Sequence, residues 1–128
     1  MTRTLVSSGS YLEPQIGFSR AVRIGNTIAV AGTAPIAAGG GTDGVGDVYR
    51  QTVRCLEIIE KALADAGASL SDVIRTRIMV TDISLWSEAA RAHGEVFGAI
   101  RPACTVVQVT GFVDPDWLVE LEADAVIA

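Results

Sequence analysis

Residues 73–81 read Val-Ile-Arg-Thr-Arg-Ile-Met-Val-Thr, and residues 118–127 read Leu-Val-Glu-Leu-Glu-Ala-Asp-Ala-Val-Ile. Both stretches alternate with the period of two that gives a β-strand two unlike faces. In the first, Ile74, Thr76, Ile78 and Val80 share one face, and Arg75, Arg77, Met79 and Thr81 share the other. In the second, Val119, Leu121, Ala123 and Ala125 oppose Leu118, Glu120, Glu122, Asp124 and Val126. The apolar sets are expected to face helices. The second face carries both signs of charge. It reads either as solvated or as packed into an oligomer with charges paired between subunits.

Working outward, residues 20–24 and 27–32 read as strands joined by a tight turn at Gly25-Asn26. A short strand over Arg3 to Val6 precedes them. Asp47 is placed to cap a helix whose apolar positions, Val48, Thr52, Cys55, Leu56, Ile59 and Leu63, recur at three- and four-residue steps until Gly67. A second helix, capped by Ser84 or Ser87, carries Trp86, Ala90, His93 and Phe97 on its apolar face and stops at Gly98. Ala103 to Thr110 and Leu118 to Ile127 are the last strands, with a turn at Asp114-Pro115-Asp116. Ala37 to Gly46 reads as a mobile loop. The order β-β-β-α-β-α-β-β predicts an α+β fold, a single mixed sheet with two helices on one face.

The 128 residues are expected to form one domain, 1–128. The chain is 49% hydrophobic with a mean hydropathy of +0.38, which excludes disorder and suggests surface covered by other subunits. A net charge of −5 opposes non-specific nucleic-acid binding. Cys55 and Cys104 are too few for a disulfide scaffold and read as thiols of a cytoplasmic protein. Met1 to Pro14 lacks the apolar core of a signal peptide, and no apolar run is long enough for a membrane span. One histidine and no Cys/His cluster argue against a structural zinc site, and neither a metal nor a cofactor is expected.

Gly17-Phe18-Ser19-Arg20-Ala21-Val22, Val30-Ala31-Gly32-Thr33-Ala34-Pro35, Val80-Thr81-Asp82-Ile83, Arg101-Pro102-Ala103 and Val119-Glu120-Leu121-Glu122-Ala123 follow one another in an order and spacing that resembles the Rid family. These are reactive-intermediate (imine/enamine) deaminases, also called YjgF-like or, in an older label, endoribonuclease L-PSP. The resemblance spans residues 15 to 127. It implies a chorismate-mutase-like fold and a homotrimer in which the sheets line a central barrel and small-molecule clefts form between subunits. Family deaminases hold a substrate carboxylate with an arginine and position water with a glutamate; a tyrosine, a serine and an asparagine complete the site. The glutamate position is Glu120 here. The arginine position is Cys104, the tyrosine position Phe18 and the serine position Ala31, and the asparagine position falls near Ala90. The resemblance thus implies a divergent subgroup whose substrate is not the family's usual 2-imino acid.

Glu120 is the catalytic candidate, as a base to water; the competing reading makes it an ion-pair partner of Arg75 or Arg77. Phe18, Arg20, Ala31, Gly32, Arg101, Cys104 and Thr105 are candidates for substrate binding. Arg20 or Arg101 is a possible replacement cation, Phe18 an apolar wall and Gly32 a point of close backbone approach. Cys104 and Thr105 would offer backbone donors. His93 reads as a core histidine bonded to a carbonyl, and Cys55 as packing. Two functions stay open: hydrolysis of an imine, an enamine or a related C–N bond, or non-catalytic binding of a small metabolite. The nuclease label fits poorly with an acidic chain, and neither nucleic acid nor membrane is expected as a partner.

Overall fold

In the computed structural model, which describes residues 2–128, the alternating stretches are neighbouring strands of one sheet. The elements are β1 (Arg3–Val6), α1 (Leu12–Ile16), β2 (Ala21–Ile24), β3 (Thr27–Thr33), α2 (Val48–Asp65), β4 (Val73–Val80), α3 (Trp86–Phe97), β5 (Ala103–Gln108) and β6 (Val119–Val126). The six strands lie in the order β1-β2-β3-β6-β4-β5. Neighbours are antiparallel except β4 and β5, which run parallel because α3 carries the chain back between them. This is the expected α+β architecture, with one addition: the single-turn helix α1, closed by Gly17 at φ 85°.

The helices α2 and α3 cover one face. Cys55, Ile59 and Leu63 of α2 and Ala89 and Phe97 of α3 join Ile28, Ile78, Val119 and Leu121 of the sheet in one core. Each large apolar side chain sealed there contributes about 1.5–3 kcal/mol. Asp47 caps α2 through Arg50 N, as expected. At the other end, Gly67 takes φ 85° and Arg23 Nη1 donates to Ala66 O at 2.8 Å. A cation there satisfies a last carbonyl and meets the negative end of the helix.

Three expectations need correction. Ile74 does not face the helices: the β4–β6 register shifts between Val73 and Arg75, and Ile74 is turned out, 54% exposed. The inner face of α3 is Ala89, Ala92 and Phe97, whereas Trp86 is exposed and Ala90 only half-buried. Neither Ser84 nor Ser87 caps α3. Instead Asp82 accepts from Ser84 N and Oγ and holds a 3-10 turn over Ile83–Leu85 that runs straight into the helix and resets its phase. On the open face, within the chain, Arg77 lies 2.5 Å from Glu122 and Arg75 3.9 Å from Asp124.

The glycine-rich loop over residues 37–46 is tied down at both ends. Ile36 and Thr42 form an antiparallel bridge. Asp43 accepts from Arg50 Nε at 2.9 Å and Nη2 at 2.8 Å, a two-pronged contact that holds the loop to α2.

Candidate functional site

The site grows from an irregularity in β3. Val30 stands opposite Ala123 and Thr33 opposite Leu121, so Ala31 and Gly32 together oppose the single residue Glu122. This bulge brings the Gly32 backbone up to Glu120: a Cβ on Gly32 would lie 3.1 Å from Glu120 Oε1. Glu120 is half-buried on the open face of β6, opposite the helices. Burial pushes its carboxyl pKa up; Arg20 draws it back and Glu122 adds to the rise. Among the described residues no hydrogen bond contributes to that balance. Within the chain Arg75 and Arg77 pair with Asp124 and Glu122, and among the described residues neither makes an ion pair with Glu120.

Arg20 sits behind this carboxylate and is 4% exposed. Its Nη1 donates to Gly32 O at 2.6 Å and Thr33 Oγ1 at 3.2 Å, and its Nε donates to Ser8 Oγ at 3.2 Å. Ser8 Oγ donates in turn to Glu13 Oε2 at 2.7 Å. Glu13 also accepts from Ser8 N and Ser10 N; burial pushes its pKa up, but the serine hydroxyls and then these backbone donors bring it below the usual carboxylate value. The buried arginine is therefore braced through a serine by a buried carboxylate. Sequence reading missed Ser8, Glu13 and Thr33. The Ser10-to-Glu13 spacing, a helix-start signature, was the available signal.

Phe18 and Ala31 are half-buried and line an open trough of about 700 Å³ on the sheet face, together with Val22, Arg75, Arg77 and Glu122. The Arg20 guanidinium lies 5.2 Å from the Phe18 ring centre. Phe18, Arg20, Ala31, Gly32 and Glu120 thus gather at one end of β2, β3 and β6.

Arg101, Cys104 and Thr105 do not join them. Cys104 and Thr105 are exposed on β5, the far edge strand. Cys104 pairs with Thr76, which pairs with Ala123, whereas Glu120 pairs with Met79 and lies in the row of Val107. Two strands across and three residues along put Cys104 and Glu120 roughly 14 Å apart. Arg101, exposed, holds φ 63° immediately before Pro102, a left-handed conformation that costs a non-glycine residue free energy. His93 is half-buried, with Nε2 2.8 Å from Thr76 Oγ1 and its ring 4.7 Å from that of Phe97; its partner is a hydroxyl rather than a carbonyl. Burial lowers its pKa. Cys55 is fully buried against Val119 O, as expected of packing. Among the described residues no three His, Cys, Asp or Glu side chains cluster as metal ligands, and no helix is long and apolar enough to cross a membrane.

The fold and sequence are shared with known proteins. A crystal structure from Mycobacterium tuberculosis, described as a member of the highly conserved YjgF/YER057c/UK114 family, is 51% identical; the match covers 98% of this chain and 100% of that one, with a TM-score of 0.88. An uncharacterized protein of Streptomyces coelicolor is 38% identical over 120 residues, 94% of this chain and 89% of that protein. The 3-aminoacrylate deaminase RutC of Acinetobacter baylyi is 34% identical over 112 residues, 88% of each chain. Residues 9–127 match the family described as endoribonuclease L-PSP, and the chain belongs to that family, the Rid or YjgF proteins.

Proposed function

We propose that this protein hydrolyses an imine or enamine C–N bond, using Glu120 and a water molecule in a cleft between subunits of a homotrimer. The observation that carries this reading is the Glu120 carboxylate. It is half-buried, raised in pKa by burial and without a hydrogen bond among the described residues, and it stands over a glycine that leaves room beside it. Such a carboxylate is a stronger base than a solvated one and is free to hold water. The water oxygen bonds the imine carbon, and its proton passes through Glu120 to the nitrogen. Glu120 then takes the hydroxyl proton of the resulting carbinolamine and delivers it to the nitrogen as the C–N bond breaks, releasing ammonia and leaving a carbonyl. An enamine enters the same route after protonation at carbon. The relative named 3-aminoacrylate deaminase supports C–N chemistry of this class.

The trimer is supported by the separation of the candidate residues. Phe18, Arg20, Ala31, Gly32 and Glu120 lie at one end of the sheet and Arg101, Cys104 and Thr105 at another edge, so a neighbouring copy would bring the two sets together. In that cleft Cys104 and Thr105 offer backbone donors, Arg101 a cation at the rim and Phe18 an apolar wall. With Cys104 in place of a guanidinium fork, the cleft lacks a two-pronged carboxylate clamp. The substrate is accordingly an imine other than the family's usual 2-imino acid. Two thiols outside any disulfide agree with a cytoplasmic setting.

A second reading, a trimer that binds a small metabolite without turning it over, is favoured by the apolar Phe18 and Ala31. Decay of an imine released in place by an amino-acid oxidase separates the two. Faster decay with the protein than without it supports hydrolysis; equal rates support binding alone.

A further inference from the structure

A second hollow lies on the helix side of the sheet, away from Glu120. Its volume is about 460 Å³, a size usual for small-molecule sites. The N-terminal loop forms one wall, the chain around Ile36 and Ala37 another, and Ile58 and Ala62 of α2 a third. Arg20 and Thr33, both buried, also line it.

Two donors there are uncommitted. Arg20 spends Nε on Ser8 and Nη1 on Gly32 and Thr33, while Nη2 donates no hydrogen bond among the described residues. Nη2 is not sealed off: among those residues the fully buried, unpartnered side-chain nitrogen or oxygen is Trp117 Nε1. Ser10 is 8% exposed and its Oγ accepts from Leu12 N at 3.3 Å, which leaves the hydroxyl hydrogen to donate. The other charges in the lining pair off: Arg54 with Glu57 at 3.6 Å and Lys61 with Asp65 at 2.9 Å. Arg20 is the charge of the lining that has no ion-pair partner within it; Glu13 and Glu120, which attract it, lie outside the hollow.

We infer that this hollow binds a small monocarboxylate with a compact apolar body. Arg20 Nη2 and Ser10 Oγ donate to the carboxylate, and Ile36, Ala37, Ile58 and Ala62 surround the apolar part. One guanidinium nitrogen and one hydroxyl match a single negative charge. They are too few donors for a phosphate dianion, and the apolar walls offer it nothing.

Calorimetric titration with benzoate and butyrate, set against benzyl alcohol and inorganic phosphate, tests this. Saturable binding of at least one carboxylate is expected, with the alcohol and phosphate at least ten-fold weaker. Arg20→Gln should weaken carboxylate binding at least ten-fold. Ile58→Trp fills the hollow from a half-buried position on α2; it should do the same while leaving the melting temperature and any Glu120-dependent hydrolysis unchanged. Should Arg20→Gln fail to fold, Ile58→Trp decides alone. Absence of carboxylate binding, equal binding of alcohol or phosphate, or full affinity in Ile58→Trp would overturn the site. Arg20 is shared with the Glu120 set, so Ile58→Trp, which leaves Arg20 in place, is the variant that distinguishes failure of the hollow from failure of the Glu120 reading.

Discussion

Gly32 has no side chain where Glu120 places its carboxylate: a Cβ there would lie 3.1 Å from Glu120 Oε1. Gly32 does not hold a positive φ, so its backbone accepts alanine and the restriction is one of space. Gly32→Ala should push the carboxylate aside by a few tenths of an ångström. The expected result is a roughly ten-fold loss of C–N hydrolysis with an unchanged melting curve, since a small misplacement of a reacting group is costly. Unaltered turnover in Gly32→Ala would separate Gly32 from the chemistry.

The raised pKa of Glu120 has a consequence for stability. The folded state favours its protonated form, so the stability it contributes is full below the unfolded pKa and is lost as pH rises through the higher folded value. Glu120→Gln removes the buried charge. It should raise the melting temperature at pH 7 by a few degrees, with the gain disappearing in acid below the ordinary carboxylate pKa. A variant less stable than wild type at pH 7 contradicts the burial effect.

Much of this was legible in the chain because β6 runs in regular register against β4 from Ala123 to Val119. Its alternation therefore reports its faces directly, and it placed Glu120 away from the core. Ile74 was misread because a register shift of one residue reverses a side chain without altering the sequence period. Trp86 was misread because a 3-10 turn, with its different residues per turn, leads into α3. The bracing of Arg20 was invisible because Ser8 and Thr33 lie 12 and 13 residues away and meet it only through strand pairing. Likewise, the distance between Cys104 and Glu120 follows from strand order, which no local pattern encodes.

His93 and Thr76 form a testable pair. Thr76 is 1% exposed, so His93→Phe leaves its hydroxyl buried without that partner, at a cost of about 1–3 kcal/mol. Thr76→Val added to His93→Phe should recover most of the loss in a denaturant melt. Because burial depresses the folded pKa of His93, its contribution is present above the unfolded pKa and is lost as pH falls through the folded value. The double variant should therefore lack part of the wild-type loss of stability in mild acid. Equal pH dependence in both proteins would contradict this.

The intersubunit cleft requires an assembly. Light scattering after gel filtration should give roughly three times the chain mass of 13.4 kDa. A monomer at micromolar concentration would leave Glu120 without the residues of β5 and remove the cleft.

A Glu120 that hydrolyses a C–N bond in a cleft without a carboxylate clamp has a distinct substrate preference. The most direct measurement is the decay rate of two imines made in place by oxidases, 2-iminopropionate and an imine lacking a carboxylate, with wild type and with Glu120→Ala shown to be of unchanged mass. Loss of one charge-assisted clamp is worth about 1.5–3 kcal/mol. Wild type should therefore act on the carboxylate-free imine and only weakly on 2-iminopropionate, and Glu120→Ala on neither. Efficient turnover of 2-iminopropionate by wild type, or full activity in Glu120→Ala, would contradict this role of Glu120.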